Sequence, residues 1–210
     1  MGHQPEVKAM KLYYTPGACS LSPHIVAEEA GIPLELEKVD LKTHRTESGE
    51  DYYAVNPKGY IPTLKLDDGA TLTEGPAIVQ YLADQRPASG LAPANGTFAR
   101  YKLQEWLTFI NGEIHKAFGP LFGSPTDEVK KDSLAKIAKR FGYVEKELAG
   151  RPFITGDNFT IADAYFFVML TWAQHFHIDL KPFPNIAAYF TRVASRPKVH
   201  AAMKAEGLVR

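Results

Sequence analysis

Cysteine is nearly absent from this 210-residue chain, because Cys19 is the only one. A lone cysteine excludes an intramolecular disulfide framework and a Cys-x-x-Cys pair, so any redox cycle needs an external thiol. The chain also opens without a signal-peptide pattern. Its most apolar stretch, 161–173, is shorter than the roughly 18 residues of a membrane span and includes Asp163. These absences predict a soluble, cytoplasmic protein with no membrane partner.

An excess of charge of either sign is also missing. The 24 Lys and Arg residues balance the 24 Asp and Glu residues, which gives a formal net charge of zero. Without a strong field, nucleic acid is not an expected partner, and a charged ligand must be held by local groups. Hydrophobic residues make up 45% and aromatic residues 11% of the chain, a composition that excludes intrinsic disorder.

The first 86 residues alternate between short strand and helix patterns. Turn signals at Pro16-Gly17, Gly31 and Asp67-Asp68-Gly69 separate these patterns. The predicted elements are a strand at 11–14, a helix at 20–30, a strand at 34–39, a β-hairpin at 63–72 and a helix at 76–85. This order predicts a small α/β layer.

Strand signals almost vanish after a turn-rich connector at 87–97. Apolar residues recur at helical spacing in 103–114 and 134–148, and 161–173 is apolar on nearly every side, as in the central helix of a bundle. Thr160 and Asp163 form a capping-box pattern at the start of that helix. We predict an extension outside the fold at 1–9, an α/β domain at 10–86, a linker at 87–97 and an all-helical domain at 98–210.

Cys19 is the first candidate for chemistry. It follows Pro16-Gly17-Ala18 at the predicted start of a helix, where free N–H groups and the helix dipole favour a reactive thiolate. The alternative is a small buried hydrophobic residue. The pattern leaves both interpretations open.

Two further segments have features of a ligand site. Pro62 precedes a predicted strand, and a cis Ile61-Pro62 bond would leave the Ile61 backbone free to pair with a peptide-like ligand; an ordinary trans turn is the alternative. At Thr73-Glu74-Gly75-Pro76, a helix N-terminus can bind a carboxylate while Glu74 binds an amine. Together they suit an α-amino acid; the alternative is that Glu74 serves the helix dipole alone, as a carboxylate at a helix start usually does.

The helix after the connector has a polar stripe of Thr108, Asn111, Gly112 and His115, with Lys116 beside it. Such a stripe is either a solvated surface or a face that contacts the α/β layer. His175 and His177 lack a third ligand, so no metal site is expected.

These segments occur in an order that resembles a bacterial beta-class glutathione S-transferase from Met10 essentially to the C-terminus. The motifs that carry the resemblance are Met10-Lys11-Leu12-Tyr13-Tyr14, Pro16-Gly17-Ala18-Cys19-Ser20, Asn56-Pro57-Lys58-Gly59, Thr73-Glu74-Gly75, Leu82-Ala83-Asp84, His115-Lys116 and Phe159-Thr160-Ile161-Ala162-Asp163-Ala164. The resemblance implies a thioredoxin-like N-terminal domain of order βαβ-α-ββα, an all-α C-terminal domain, a cis Pro62 and a homodimer. It also implies glutathione as co-substrate.

The same resemblance implies a glutathione site. It puts the glutathione sulfur near Cys19 and His115, which would be the catalytic residues. The cysteinyl backbone would lie against Ile61 and Pro62. The γ-glutamyl head would lie at Glu74 and Gly75. Lys116, Thr108 and Gly112 border the site, the last two replacing Asn and Ser or Thr, while Gly75 replaces a frequent serine. His44 stands where relatives often have lysine. If protonated His44 meets the glycyl carboxylate, binding weakens as the pH rises through about 6.5.

The implied activity is conjugation of the glutathione thiolate to a small hydrophobic electrophile, a detoxification reaction, with the hydrophobic site for this second substrate in 98–210. One alternative is a thiol-disulfide oxidoreductase or peroxidase that works through a Cys19–glutathione mixed disulfide. Another is a non-catalytic ligand-binding protein of the same fold. Candidate cleft or core aromatics are Phe118, Phe122, Tyr165 and Trp172.

Overall fold

The first half of the chain builds a five-stranded mixed sheet. The computed structural model describes residues 10–210, and the predicted extension at 1–9 lies outside the described residues. The strands are β1 (Met10–Tyr14), β2 (Leu34–Asp40), β3 (Arg45–Thr46), β4 (Thr63–Lys65) and β5 (Thr71–Thr73), in the order β3-β2-β1-β4-β5. β1 runs parallel to β2, with Leu12 opposite Leu36, and antiparallel to β4. β4 and β5 form the predicted hairpin.

Three helices complete this half: α1 (Leu21–Ala30), α2 (Tyr52–Val55) and α3 (Gly75–Gln85). α1 forms the crossover that a parallel β1–β2 pair requires. It ends where Gly31 adopts a φ of 67°, a left-handed conformation that glycine reaches without strain. The predicted order βαβ-α-ββα is confirmed. The polar segment that follows β2 also contains the two-residue strand β3, which has no pattern of its own in the sequence.

The second half is helical. α4 (Phe98–Phe109) continues through a π-helical segment (Ile110–His115) into the short α5 (Lys116–Phe118). A 3-10 turn (Gly119–Phe122) follows, and the remaining α-helices are α6 (Asp127–Glu147), α7 (Ile161–His175), α8 (Pro184–Ala194) and α9 (Pro197–Ala205). Twelve of the 15 residues of α7 are buried, which confirms the predicted central helix. Within residues 10–210, no helix is long and apolar enough to cross a membrane.

A buried carboxylate fixes the start of α7. Asp163 accepts hydrogen bonds from the N–H groups of Thr160 (2.8 Å) and Ile154 (2.9 Å), and from the hydroxyl groups of Thr160 (3.0 Å) and Tyr189 (3.0 Å). The predicted capping box is present. Burial raises the pKa of Asp163 to about 6, although the four donors favour the ionised form.

One hydrophobic core joins the two halves. Ile25 of α1 and Ile78 of α3 belong to the same buried cluster as Leu107 of α4 and Phe167 of α7. α1 packs against both α7 and α9. The loop between β1 and α1 therefore lies where the α/β layer meets the helices.

Candidate active site

A cavity of about 440 Å³ opens between the α/β layer and the helical half. Both halves contribute to its wall. It is lined by seven of the predicted site residues, namely Cys19, Ile61, Pro62, Glu74, Gly75, His115 and Lys116. The tertiary structure thus brings together residues that lie up to about a hundred positions apart in the chain.

Cys19 lies in this cavity just before α1. Its Sγ donates to the Ile61 carbonyl at 3.5 Å. Burial raises the pKa of the Cys19 thiol to about 12, although the N–H groups of Cys19 and Ser20 act on the sulfur in the opposite direction. Of the two interpretations that the sequence left open, the structure favours a neutral thiol in the unliganded protein, because desolvation outweighs the N–H groups at the start of the helix.

The Ile61-Pro62 segment forms the cavity wall beside Cys19. The Ile61-Pro62 peptide bond is cis, as the resemblance implied. Tyr52 and Asn56 hold the preceding Tyr60 carbonyl, which accepts from the Tyr52 hydroxyl at 2.8 Å and from Asn56 Nδ2 at 2.7 Å. The Ile61 backbone is thereby presented to the cavity at a defined position.

Glu74 and Gly75 lie at the start of α3, where they reach the cavity. Glu74 has a φ of 72°, a left-handed conformation that is rare for a residue with a side chain and is typical of functional sites. Its carboxylate contacts Lys58 Nζ at 2.6 Å, and the same Nζ donates to Thr73 Oγ1 at 3.0 Å. A carboxylate and the N–H groups of a helix start therefore stand side by side, which is the arrangement that binds both ends of an α-amino acid.

His115 is at the end of the π-helical segment, on the opposite wall. Its Nδ1 lies 2.6 Å from the Tyr165 hydroxyl, which donates to Asn111 Oδ1 at 2.8 Å. Burial, together with the neighbouring charge of Lys116, lowers the pKa of His115 to about 4. The imidazole is therefore neutral at physiological pH.

Aromatic side chains cover the helical side of the cavity. Phe122, Tyr165 and Trp172 line it, and Trp172 packs edge-on against His115 with ring centroids 4.8 Å apart. Phe118 lies in the core instead, fully buried against Phe141 and Trp172. The structure thus separates one core residue from three cavity residues in the predicted aromatic set.

Three predicted site residues lie outside the cavity lining. The His44 ring packs against Tyr53 at 4.4 Å, and its buried Nδ1 has no hydrogen-bond partner among the described residues. Thr108 is exposed and its hydroxyl donates to the Gln104 carbonyl, and Gly112 is exposed as well. Within this chain, none of the three contacts the cavity.

Asn111 and Lys58 line the cavity but were not among the predicted site residues. Asn111 belongs to the polar stripe, and Lys58 to a motif that carries the family resemblance. Neither pattern predicts which side chain faces the cavity. For Asn111 this depends on the π-helical segment, and for Lys58 it depends on the position of the β4–β5 hairpin. Within residues 10–210, no three or more His, Cys, Asp or Glu residues group closely enough to hold a metal ion.

Comparison with known proteins agrees with this architecture. The family model described as "Glutathione S-transferase, N-terminal domain" matches residues 17–85, and "Glutathione S-transferase, C-terminal domain" matches residues 109–197. The chain is 48% identical to Glutathione S-transferase GstA of Escherichia coli O157:H7 over 200 residues, which cover 95% of this chain and all of that protein.

Solved structures show the same similarity. A sphingomonad glutathione S-transferase in complex with glutathione is 50% identical, with a TM-score of 0.91. A bacterial beta-class glutathione S-transferase of Sphingomonas chungbukensis is 48% identical, with a TM-score of 0.92. Each match covers 95% of this chain and all of the other. The chain therefore belongs to the glutathione S-transferase family, and its resemblance to the bacterial beta class is confirmed.

Proposed function

We propose that this protein is a glutathione S-transferase that activates the glutathione thiol and conjugates it to small hydrophobic electrophiles. The observation that carries the proposal is the composition of the cavity. Groups suited to a peptide, at Ile61 and Glu74, occupy one wall, and the aromatic rings of Phe122 and Trp172 occupy the other. A site of this kind holds a polar peptide and an apolar co-substrate next to each other.

The proposed glutathione pose follows the wall of the α/β layer. The α-carboxylate of the γ-glutamyl unit lies at the N-terminus of α3, and the α-amine of the same unit contacts Glu74. Gly75, which has no side chain, leaves room for the ligand backbone. The cysteinyl unit pairs with Ile61 beside Pro62. The sulfur then lies between Cys19 and His115, with Lys116 at the rim.

The reactive species is the glutathione thiolate. Cys19 is a neutral thiol, so it can turn its S–H from the Ile61 carbonyl to a sulfur anion without repelling it, and the positive charge of Lys116 favours the same anion. The aromatic wall excludes water and receives the electrophile. Apolar contact discriminates weakly among small molecules, so we expect a broad range of detoxification substrates.

The proposal also includes the three predicted site residues that lie outside the cavity lining of this single chain. We place the glycyl carboxylate towards His44. A homodimer would give the exposed Thr108 and Gly112 a neighbour, and the exposed Phe98 and Tyr101 of α4 support such an interface.

The proposal also includes a cytoplasmic location and the domain limits 10–86, 87–97 and 98–210, which contain the two matched ranges.

A second candidate activity is thiol-disulfide exchange at Cys19, because this thiol lines the same cavity as the proposed sulfur position. In that reaction the Cys19 sulfur attacks a glutathione disulfide, forms a mixed disulfide and releases one glutathione thiolate, while the Cys19 proton goes to water. The high pKa of Cys19 disfavours this route relative to conjugation.

The test is the glutathione-dependent conjugation of chlorodinitrobenzene, compared with a glutathione-only and a protein-only control. Turnover above both controls supports the transferase. Cys19→Ala should lose any reduction of a glutathione mixed disulfide and weaken conjugation only in part, because His115 and Lys116 remain beside the sulfur. An absence of conjugation by a folded protein that still binds glutathione would overturn the transferase in favour of exchange or of ligand binding.

A further inference from the structure

The Tyr165 hydroxyl joins two polar residues of the π-helical segment. It donates its proton to Asn111 Oδ1 at 2.8 Å and lies 2.6 Å from His115 Nδ1. A hydroxyl has one proton, and the Asn111 oxygen can only accept. The Tyr165 oxygen must therefore accept from His115, and Nδ1 must carry a hydrogen.

The surroundings make this arrangement rigid. Tyr165 is 1% exposed and belongs to the buried helix α7. Asn111 and His115 stand near the two ends of the π-helical segment, a wider turn that is frequent at functional sites and that here directs both side chains to one hydroxyl. Trp172 packs edge-on against the His115 ring. The ring is thus held along one edge and at one face.

The other ring nitrogen is free. Among the described residues, His115 Nε2 has no hydrogen-bond partner, and it is not one of the buried polar atoms without a partner. His115 lines the cavity together with Cys19. Nε2 therefore presents a lone pair where the proposed function puts the glutathione sulfur.

We propose that Tyr165 is a positioning residue, which with Asn111 holds His115 in the Nδ1–H tautomer so that Nε2 accepts the proton of the glutathione thiol. This inference rests on the proposed function and adds a base and its orienting group to it. In the opposite tautomer, Nε2–H would be a donor to the sulfur and could not take its proton.

Proton transfer from the glutathione thiol precedes formation of the carbon–sulfur bond. The S–H bond breaks, its electron pair stays on the sulfur, and the proton moves to Nε2 to give an imidazolium. The thiolate then forms the carbon–sulfur bond, and in a substitution the halide leaves with the electron pair of its former bond. The imidazolium finally releases its proton to water.

The charges around His115 suit a base that is neutral before the substrate binds. Lys116 on its own helix disfavours the imidazolium, and Tyr165 stays protonated because burial raises its pKa. Cys19 and Glu74 face the site from the α/β wall. Once the proton has moved, the negative thiolate and the positive imidazolium lie next to each other, and each charge stabilises the other.

The direct test is the tautomer of His115, read from ¹⁵N NMR of uniformly labelled protein without glutathione. The resonances lost in His115→Gln identify the residue. The wild type should show a protonated Nδ1 and an unprotonated Nε2, and Tyr165→Phe should lose that preference. Tyr189→Phe is the matched control, since it removes another buried hydroxyl that bonds to α7, at Asp163, away from the cavity.

A protonated Nε2 in the wild type, or an unchanged tautomer in Tyr165→Phe, would overturn the proposal. Should Tyr165→Phe fail to fold, Asn111→Ala serves instead, because it frees the Tyr165 proton and should give a mixture of both tautomers. A single Nδ1–H tautomer in Asn111→Ala would also contradict it. These readouts need no turnover, so they stand apart from the test of the transferase activity.

The kinetic test follows kcat/KM for conjugation against pH. Tyr165→Phe should lower kcat by about 10- to 100-fold while KM for glutathione changes by less than about threefold, since the base is disordered and the peptide contacts stay. Tyr189→Phe should keep kcat. A Tyr165→Phe profile that matches the wild type in both height and shape would reject the role, whereas inactivity of the wild type itself would reject the proposed function.

Discussion

The carboxylate of Glu206 accepts a hydrogen bond from the Gly17 N–H at 2.9 Å, across 189 positions of the chain. Its second oxygen lies 2.9 Å from His24 Nδ1, and the Gly17 carbonyl accepts from Trp172 Nε1 at 2.8 Å. Both backbone polar groups of Gly17, its N–H and its carbonyl, therefore bind side chains of the C-terminal half. Because Cys19 follows two residues later, residues near the end of the chain position the start of the active site.

Glu206→Ala should lower the free energy of unfolding by about 2 to 4 kcal/mol and reduce conjugation. The substitution leaves the buried His24 and the Gly17 N–H without their partner. Urea denaturation and initial rates measure the two effects. Glu29→Ala is the control, because Glu29 of α1 binds Arg196, the residue before α9, at 2.7 and 2.8 Å without touching Gly17. An equal loss of activity in both variants would contradict a specific role of Glu206.

Cys19 should behave as a poorly ionised thiol in the free protein. With a pKa of about 12, its alkylation by iodoacetamide should rise about tenfold per pH unit up to pH 10, without the plateau that an ordinary cysteine, with a pKa of about 8.5, approaches by about pH 9.5. Circular dichroism at each pH checks that the fold persists. S-methylglutathione should slow the reaction by filling the cavity. A plateau below pH 9 would show that the thiol is instead acidic.

Asp163 should make the protein less stable as the pH rises towards neutrality. Its pKa is about 6 in the folded chain and about 3.9 in the unfolded chain, so its extra stabilisation is complete below pH 3.9 and lost as the pH passes 6. Two pKa units correspond to about 3 kcal/mol. Denaturation at pH 4 and pH 7.5 should reveal this difference relative to Asp163→Asn. Parallel curves for the two proteins would refute it.

Glu74→Gln should raise KM for glutathione by about tenfold and leave kcat within about twofold. The proposed pose pairs Glu74 with the ligand's amine, and a neutral side chain loses the charge-assisted part of that bond. Lys58→Met is the matched control, because it removes the cation that now contacts Glu74 and leaves the carboxylate for the ligand. A larger KM in Lys58→Met than in Glu74→Gln would assign the ligand contact to Lys58.

Most helices and strands could be predicted from local patterns. Gly31 ends α1 where its left-handed φ is needed, and the apolar stretch around Phe166 became the buried helix α7. Strand β3 could not be predicted, because Arg45 and Thr46 pair with Asp40 and Val39 only once β2 is in place. The active site was predicted in part: Cys19, Ile61 and His115 share the cavity, whereas Thr108 points to solvent.

The amino-acid sequence by itself determined most of the elements, because periodicity and turn residues are local properties of the chain, and its motifs in their order carried the family resemblance. Only the tertiary structure decided the chemistry of the site. The pKa of Cys19 depends on how far packing removes water from around its sulfur. The tautomer of His115 depends on the Tyr165 hydroxyl, 50 residues away. Desolvation and hydrogen-bond direction act through space, so they exist only once distant segments have packed together.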